Sequence, residues 1–169
     1  LITICYAHWE GYIRFSARKY LEHIALRKFQ YSQLETQFLK NYFLPRLSSN
    51  AGSKMSVTER CSLVEEILNS SGLRFSRVNE DLINTKANLN FEVFSDICLV
   101  CGVSSESFAD RVTFIDIVLL KRRNAIAHGE ETLVAVDDLD DVANGTIALM
   151  RNFGDALENH AVLQKYKVA

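Results

Sequence analysis

The chain has 169 residues, of which 48% are hydrophobic and 24% are charged, and its formal net charge is -2. These values exclude a disordered chain and indicate one globular domain whose core needs no disulfide or metal for stability. One proline and seven glycines leave few residues to separate the strands of a sheet, so an all-α fold is expected.

Two helices are predicted in the first fifty residues. The first covers residues 1–26, where apolar side chains recur with helical spacing. Ser32 and Glu35 then match the capping box that opens a helix. Because the residue before a proline resists the α conformation, this second helix should stop before Pro45, and residues 47–54 should form a loop.

A third helix is predicted between Ser56 and Asn69. Ser56 and Glu59 repeat the capping-box pattern, and Gly72 is a suitable stop. The helix would be carried by a stripe of apolar residues, namely Val57, Cys61, Val64 and Leu68. Residues 73–90 show no sustained period, which predicts an ordered connection with at most one short helix.

Two more helices are predicted in the segment that follows. Asn90 should cap a short helix that ends near Gly102. Ser104 or Ser105 should cap the next one, which covers residues 108–127.

The last helix has the clearest amphipathic pattern. Gly129 should end the preceding helix, and Asp137 or Asp138 should cap the last one after an acidic loop. Its predicted core stripe is Leu139, Val142, Ala143, Ile147, Met150, Phe153, Leu157 and Ala161. No repeat or interdomain linker is visible, so residues 1–169 should form a single helical bundle of about five main helices.

The cysteines and the apolar runs indicate a cytoplasmic protein without a membrane span. The longest apolar run, residues 97–103, is far shorter than the roughly 20 residues that cross a bilayer. None of the four cysteines is spaced like a secreted disulfide framework, which indicates a reducing compartment. Cys98 and Cys101 form a single Cys-x-x-Cys, and because no second pair completes a zinc site, we expect two buried side chains and no metal or cofactor. Leu1 is not a methionine, so we expect a segment upstream that the sequence does not include.

The densest group of candidate functional residues consists of Lys121, Arg122, Arg123, Asn124 and His128. Arg123 and His128 would not share a face of a continuous α-helix, since five residues correspond to roughly 140° of turn. They can meet one ligand only if the helix ends at His128, or if a second copy of the chain supplies the partner residue across an interface.

These residue types suit phosphodiester chemistry without a metal. At a helix C-terminus the macrodipole favours a protonated imidazole, and Glu130 and Glu131 add to this effect at His128. Such a histidine can act as general acid or base, while the Arg123 guanidinium can clamp a phosphate. A helix that ends in Arg, Asn, His and Gly is also typical of ordinary C-capping, so a purely structural role stays open.

Residues 123–128 match the Arg-x4-6-His signature of the HEPN superfamily, with the polar Asn124 directly after the arginine. Three further blocks occur in the expected order, namely His8–Tyr12, Asn88–Asn90 and Ile126–Glu130. On these residues the chain resembles the prokaryotic RiboL-PSP and MAE-type branch of the HEPN superfamily, and the likeness spans roughly residues 5–160.

The resemblance implies an all-α bundle that pairs into a homodimer and brings two copies of the motif to one cleft. Active members of the family are metal-independent RNA endonucleases. By this likeness, His128 and Arg123 would help the ribose 2′-OH attack the adjacent phosphate, leaving a 2′,3′-cyclic phosphate and a 5′-OH, and Asn124 would orient His128 or a phosphate oxygen.

The resemblance also implies partners and a biological role. The substrate would be RNA, for example transfer RNA. Many members are toxins of toxin–antitoxin pairs or abortive-infection effectors against phage, so an antitoxin or a sensor protein is an expected partner. The superfamily also contains inactive members that serve as dimerisation or nucleotide-binding modules, and this noncatalytic role is the alternative.

Several residues outside the motif are candidates for supporting roles. Glu10 either pairs with Arg14 on the surface or orients the motif residues, and Asp116 lies two helical turns before Arg123 on nearly the same face. Lys121 and Arg122 can guide RNA through their charge. Three aromatic residues of the first helix can stack bases but are better explained as core, namely Trp9, Tyr12 and Tyr20. A third hypothesis is metal-dependent chemistry at an acidic group, namely Glu130, Glu131, Asp137 and Asp138.

Overall fold

A computed structural model describes residues 1–50, 55–86, 88–130 and 136–168, without the side chains of residues 49, 50, 136 and 137. The described part of the chain is all-helical and contains no strand, only two isolated β-bridges. The expected all-α class is therefore confirmed. Six α-helices, four short 3-10 turns and one π-helix occur among these residues.

Helix α1 is the central element of the bundle. It covers Ile2–Ala25, and its most extensive contact is with α6, which covers Val136–Val162. Trp9 and Tyr20 of α1 are buried, so the core interpretation of these two rings is confirmed. Tyr12 is half-buried, and its hydroxyl lies against the backbone of Gly154 in α6.

The second helix differs from its prediction at both ends. A 3-10 turn, Tyr31–Gln33, precedes it, and α2 covers Thr36–Asn50, so the Ser32 capping box was wrong. The helix also continues through Pro45. A proline inside a helix costs about 3 kcal/mol, and tertiary packing can override that preference. Here Phe38 anchors α2 in the core, and Phe43 is buried just before the proline.

Helix α3 covers Val57–Asn69 and begins as predicted. Glu59 and Ser56 form the complete capping box, in which the Ser56 amide donates to the Glu59 carboxylate at 2.7 Å. The predicted apolar stripe, however, faces solvent, with Val57 76% and Leu68 73% exposed. An ion pair between Arg46 and Glu66 connects α3 to α2.

Helix α4 covers Phe91–Cys101 and confirms both of its predicted caps. The Asn90 side chain accepts the Val93 amide proton at 2.8 Å, and Gly102 ends the helix with a φ of 74°. The connection before α4 holds one 3-10 turn, Glu80–Ile83, as predicted.

The long helix predicted over residues 108–127 is divided into three parts. A 3-10 turn, Glu106–Arg111, is followed by a π-helix, Phe114–Lys121, and then by the short α5, Arg122–Ala127. We refer to Phe114–Lys121 as the π segment. Hydrogen bonds in a π-helix join residues five apart, whereas those in an α-helix join residues four apart. Side chains before and after the π segment therefore do not have the relative directions expected of a continuous α-helix.

Helix α6 starts at Val136, before the predicted caps, so Asp137 and Asp138 lie in its first turn rather than ahead of it. Its core stripe is largely as predicted. One position differs, because Ile147 is 42% exposed and Leu149 is buried. None of the helices in the described part of the chain is both long and apolar enough to cross a membrane.

Candidate functional site

The Arg123–His128 motif occupies α5 and its C-terminal cap. The Gly129 amide donates to the Ile126 carbonyl at 3.1 Å, and the Glu130 amide donates to the Ala125 carbonyl at 2.9 Å. Gly129 has a φ of 74°, which is the left-handed conformation that glycine adopts without strain. The predicted helix end at Gly129 is therefore confirmed. This cap is made by backbone groups, so it accounts for the glycine but for neither the Arg123 nor the His128 side chain.

The Arg123 side chain is fixed on two sides. Its Nη1 donates to the Asn124 Oδ1 at 2.7 Å, and its guanidinium carbon lies 4.9 Å from the centre of the Tyr6 ring. This distance is within the range of a cation–π contact. Arg123 and Asn124 are half-buried, whereas the Tyr6 ring is 1% exposed.

The Tyr6 hydroxyl is itself held by the chain before α4. It accepts the amide proton of the buried Leu89 at 2.6 Å. Burial raises the pKa of the Tyr6 phenol, and the Glu10 charge adds to this rise, while the Leu89 hydrogen bond and the Arg123 charge oppose it. The phenol is therefore neutral at physiological pH, and the charged groups around it are Glu10 and Arg123.

Glu10 belongs to this cluster but does not pair with either predicted partner. Its carboxylate accepts a hydrogen bond from the hydroxyl of the buried Thr85. Among the described residues, no ion pair joins Glu10 to Arg14 or to Arg123. Glu10 thus connects α1 to the segment before α4.

Asp116 lies in the π segment and is directed toward α4. Its Oδ1 accepts the Phe91 amide proton at 2.7 Å, so it caps the N-terminus of α4 beside Asn90. The side chain is half-buried. Among the described residues, no hydrogen bond or ion pair joins Asp116 to Arg123.

The remaining motif residues are accessible. His128 and Lys121 are exposed, and Arg122 is half-buried. No hydrogen bond from the His128 side chain occurs to any described residue. The structure therefore presents a fixed guanidinium in the first turn of α5 and an exposed imidazole at its C-terminal cap.

A metal site has no support in the described part of the chain. No group of three His, Cys, Asp or Glu side chains there is arranged to hold a metal ion. Cys98 and Cys101 are fully buried as predicted, and burial raises the pKa of Cys98 to about 12. Of the acidic group considered for metal chemistry, Glu131 and the side chain of Asp137 lie outside the described residues.

Sequence reasoning missed three members of the cluster, namely Tyr6, Thr85 and Leu89. One signal was available for Tyr6, because it precedes Glu10 by four residues and so shares its face of α1. Leu89 lies inside the Asn88–Asn90 block, but its contribution is a backbone amide.

Tyr6 of α1 thus joins two other parts of the site, because its hydroxyl accepts the Leu89 amide proton from the segment before α4 and its ring lies against Arg123 of α5. The sequence matches the family model described as RiboL-PSP-HEPN over residues 1–159. The chain belongs to the RiboL-PSP-HEPN family. HEPN domains are often RNases, and the family often binds RNA and dimerises, so membership points to an RNase or nucleotide-binding function. No match was found among the curated proteins or among the solved structures.

Proposed function

We propose that the chain is a metal-independent RNA endonuclease that works as a homodimer. The observation that carries this proposal is the arrangement of α5, in which Tyr6 and Asn124 hold the Arg123 guanidinium while the His128 imidazole is exposed at the helix end. A fixed cation and an accessible acid–base group are the two elements that phosphodiester cleavage by an internal nucleophile requires.

The proposed reaction uses the ribose 2′-OH as the nucleophile. His128 accepts its proton while the 2′ oxygen forms a bond to phosphorus and the bond from phosphorus to the 5′ oxygen breaks. The leaving 5′ oxygen takes a proton from a second acid, which is His128 of the other copy in a dimer. Arg123 binds the non-bridging oxygens and stabilises the charge that develops on them. The products are a 2′,3′-cyclic phosphate and a 5′-OH, and DNA is inert because it lacks the nucleophile.

The capping geometry favours this interpretation over a purely structural one. The backbone of Gly129 and Glu130 completes the cap of α5. The Arg123 side chain donates to Asn124 and contacts Tyr6, away from the carbonyls that a capping arginine would bind. A structural role in the cap therefore leaves these two side chains unexplained.

Exposed and half-buried residues near the motif support binding of RNA and of a second copy. Lys121 and Arg122 add positive charge beside Arg123, which favours contact with phosphates. Three elements around the site also carry an exposed isoleucine, namely Ile4 of α1, Ile117 of the π segment and Ile126 of α5. Apolar groups of this kind are suited to an interface between copies.

The biological role that fits this chemistry is a cytoplasmic toxin or a phage-defence effector, with transfer RNA among the candidate substrates and an antitoxin or sensor as its regulator. Expression of the wild-type chain should then arrest growth, and His128→Ala should relieve the arrest at equal protein level.

The direct test is incubation with total RNA and transfer RNA in EDTA, followed by chemical identification of the ends. Arg123→Ala and His128→Ala should each lower the cleavage rate by about 10²- to 10⁴-fold. Matched controls are Arg60→Ala at an exposed arginine of α3 and His23→Ala at an exposed histidine of α1, which should retain cleavage within a few-fold. Single-stranded DNA should stay intact.

Cyclic-phosphate ends that depend on Arg123 and His128 would establish the nuclease. Intact RNA after incubation with a folded dimer at high excess would overturn it, and would leave the noncatalytic dimerisation or nucleotide-binding module as the function of the chain.

A further inference from the structure

We infer that Tyr6 is a positioning residue for Arg123: its buried ring holds the guanidinium in place without neutralising its charge. The inference rests on the proposed nuclease function for its catalytic consequence, and on the contacts of Tyr6 for its structural part.

The contact is built to be rigid. The Tyr6 ring is 1% exposed and lies on the face of α1 that enters the core. Its hydroxyl end is held by the Leu89 amide at 2.6 Å, and its face meets the Arg123 guanidinium at 4.9 Å. Since both ends of the ring are held, the position of the guanidinium is set by α1 and the segment before α4 as well as by α5.

The remaining contact of Arg123 leaves its charge available. Asn124 accepts one N–H of the guanidinium through a neutral amide oxygen. The acidic group of the cluster, Glu10, accepts the hydroxyl proton of Thr85 instead of pairing with Arg123. A carboxylate bound to Arg123 would compete with a phosphate for the same donors, whereas an aromatic face and an amide do not.

This arrangement matches what a phosphate clamp needs. Charged donors stabilise a transition state best when they are fixed before the reaction, because no reorganisation is then required. A long arginine side chain in solvent has many rotamers, and the stacked ring removes most of them. Tyr6 would therefore act on kcat through Arg123 rather than through its own hydroxyl.

The kinetic test compares two substitutions of Tyr6. Tyr6→Phe keeps the ring and loses the hydroxyl, so kcat should stay within about 3-fold of wild type. Tyr6→Leu removes the ring, and kcat should fall by about 10- to 30-fold, which corresponds to a cation–π contact shielded from water. In an Arg123→Ala background, Tyr6→Leu should cause no further fall, because the two residues act as one unit.

Tyr20→Leu is the matched control for loss of a core tyrosine. Tyr20 lies in the same helix, is also buried, and also has its hydroxyl in a polar contact, with His160 at 2.6 Å. Tyr20→Leu should lower the midpoint of thermal unfolding, as Tyr6→Leu does, but should leave kcat unchanged at a temperature where the protein is folded. An equal fall of kcat in both variants would overturn the inference.

A second measurement does not depend on activity. The Arg123 Nε–H signal in a ¹⁵N side-chain NMR spectrum, assigned from its loss in Arg123→Lys, should be shifted by the ring current of Tyr6. The shift should persist in Tyr6→Phe and disappear in Tyr6→Leu. If wild-type protein shows this shift but cleaves no RNA, the proposed nuclease function is refuted, while the contact by which Tyr6 positions Arg123 is supported. If the signal is the same in Tyr6→Leu as in wild type, the inference fails whatever the activity.

Discussion

Packing of α6 against the π segment depends on the missing side chain at Gly145. A Cβ at this position would lie 2.6 Å from Cζ and 2.8 Å from Cε2 of the Phe114 ring. Carbon atoms in contact prefer about 3.5 to 4.0 Å, so an added methyl group must move the ring or the helix by about 1 Å. Overpacking of this kind typically costs about 1–3 kcal/mol of unfolding free energy.

Gly11 provides the matched control. It lies inside α1, is exposed, and has no atom within 4 Å of where a Cβ would be. Alanine at such a helix position is more favourable than glycine by up to about 1 kcal/mol. The same gain applies at Gly145, so Gly145→Ala should range from neutral to a loss of about 2 kcal/mol. The two variants should then differ by about 1–3 kcal/mol.

Urea unfolding followed by circular dichroism at 222 nm measures this difference. Phe114→Leu in the Gly145→Ala background should recover part of the loss, because the atoms that overlap belong to the end of the ring, and the two effects should not add. If Gly145→Ala were as stabilising as Gly11→Ala, the close contact between α6 and the π segment would be refuted.

Two further predictions concern a histidine and an aspartate. Burial lowers the pKa of His160, which lies 2.6 Å from the Tyr20 hydroxyl, so the unfolded chain binds this proton more readily than the folded one. The contribution of His160 to the unfolding free energy should therefore be complete above the ordinary histidine pKa of about 6.5 and should decrease as the pH drops below it. Urea midpoints measured over this pH range should decrease less in His160→Gln than in His23→Gln. Asp116→Ala should lower the unfolding free energy by about 1–2 kcal/mol, because it removes the acceptor of the Phe91 amide proton at the start of α4. An unchanged urea midpoint would contradict this capping role.

Local signals in the sequence were sufficient for several elements. Asn90 and Gly102 delimit α4 as predicted, because a side-chain cap and a left-handed glycine act within a few residues of the helix ends. The Ser56 capping box was found for the same reason. These features depend on neighbours in the chain, which a sequence displays directly.

Tertiary packing decided the elements that were predicted wrongly. Helix α2 passes through Pro45 although its local preference is to stop, and α3 leaves its apolar stripe in solvent although periodicity predicts a buried one. The Phe114 ring of the π segment lies against Gly145, more than twenty residues further along the chain. Neither periodicity nor capping residues report contacts over such separations.

The residues of the site also fall into those that the local sequence reveals and those that only tertiary packing brings together. Arg123, Asn124 and His128 form a contiguous motif, and the sequence was enough to select them as candidates. Tyr6 lies more than one hundred residues before this motif, and Tyr20 of the same helix is a core residue, so the residue type of Tyr6 gave no reason to choose it.

The Leu89 contact explains why such a supporting residue stays hidden in a sequence. Its donor is a backbone amide, which every residue except proline possesses, so no residue type at this position marks the hydrogen bond to Tyr6. What selects this amide is the path of the segment before α4, where Thr85 binds Glu10 and Asn90 and Asp116 fix the start of the helix. Leu89 and its neighbours thus influence Arg123 through the backbone conformation of this segment. A substitution that alters this conformation should change the position of the Arg123 guanidinium even where the substituted residue does not contact it.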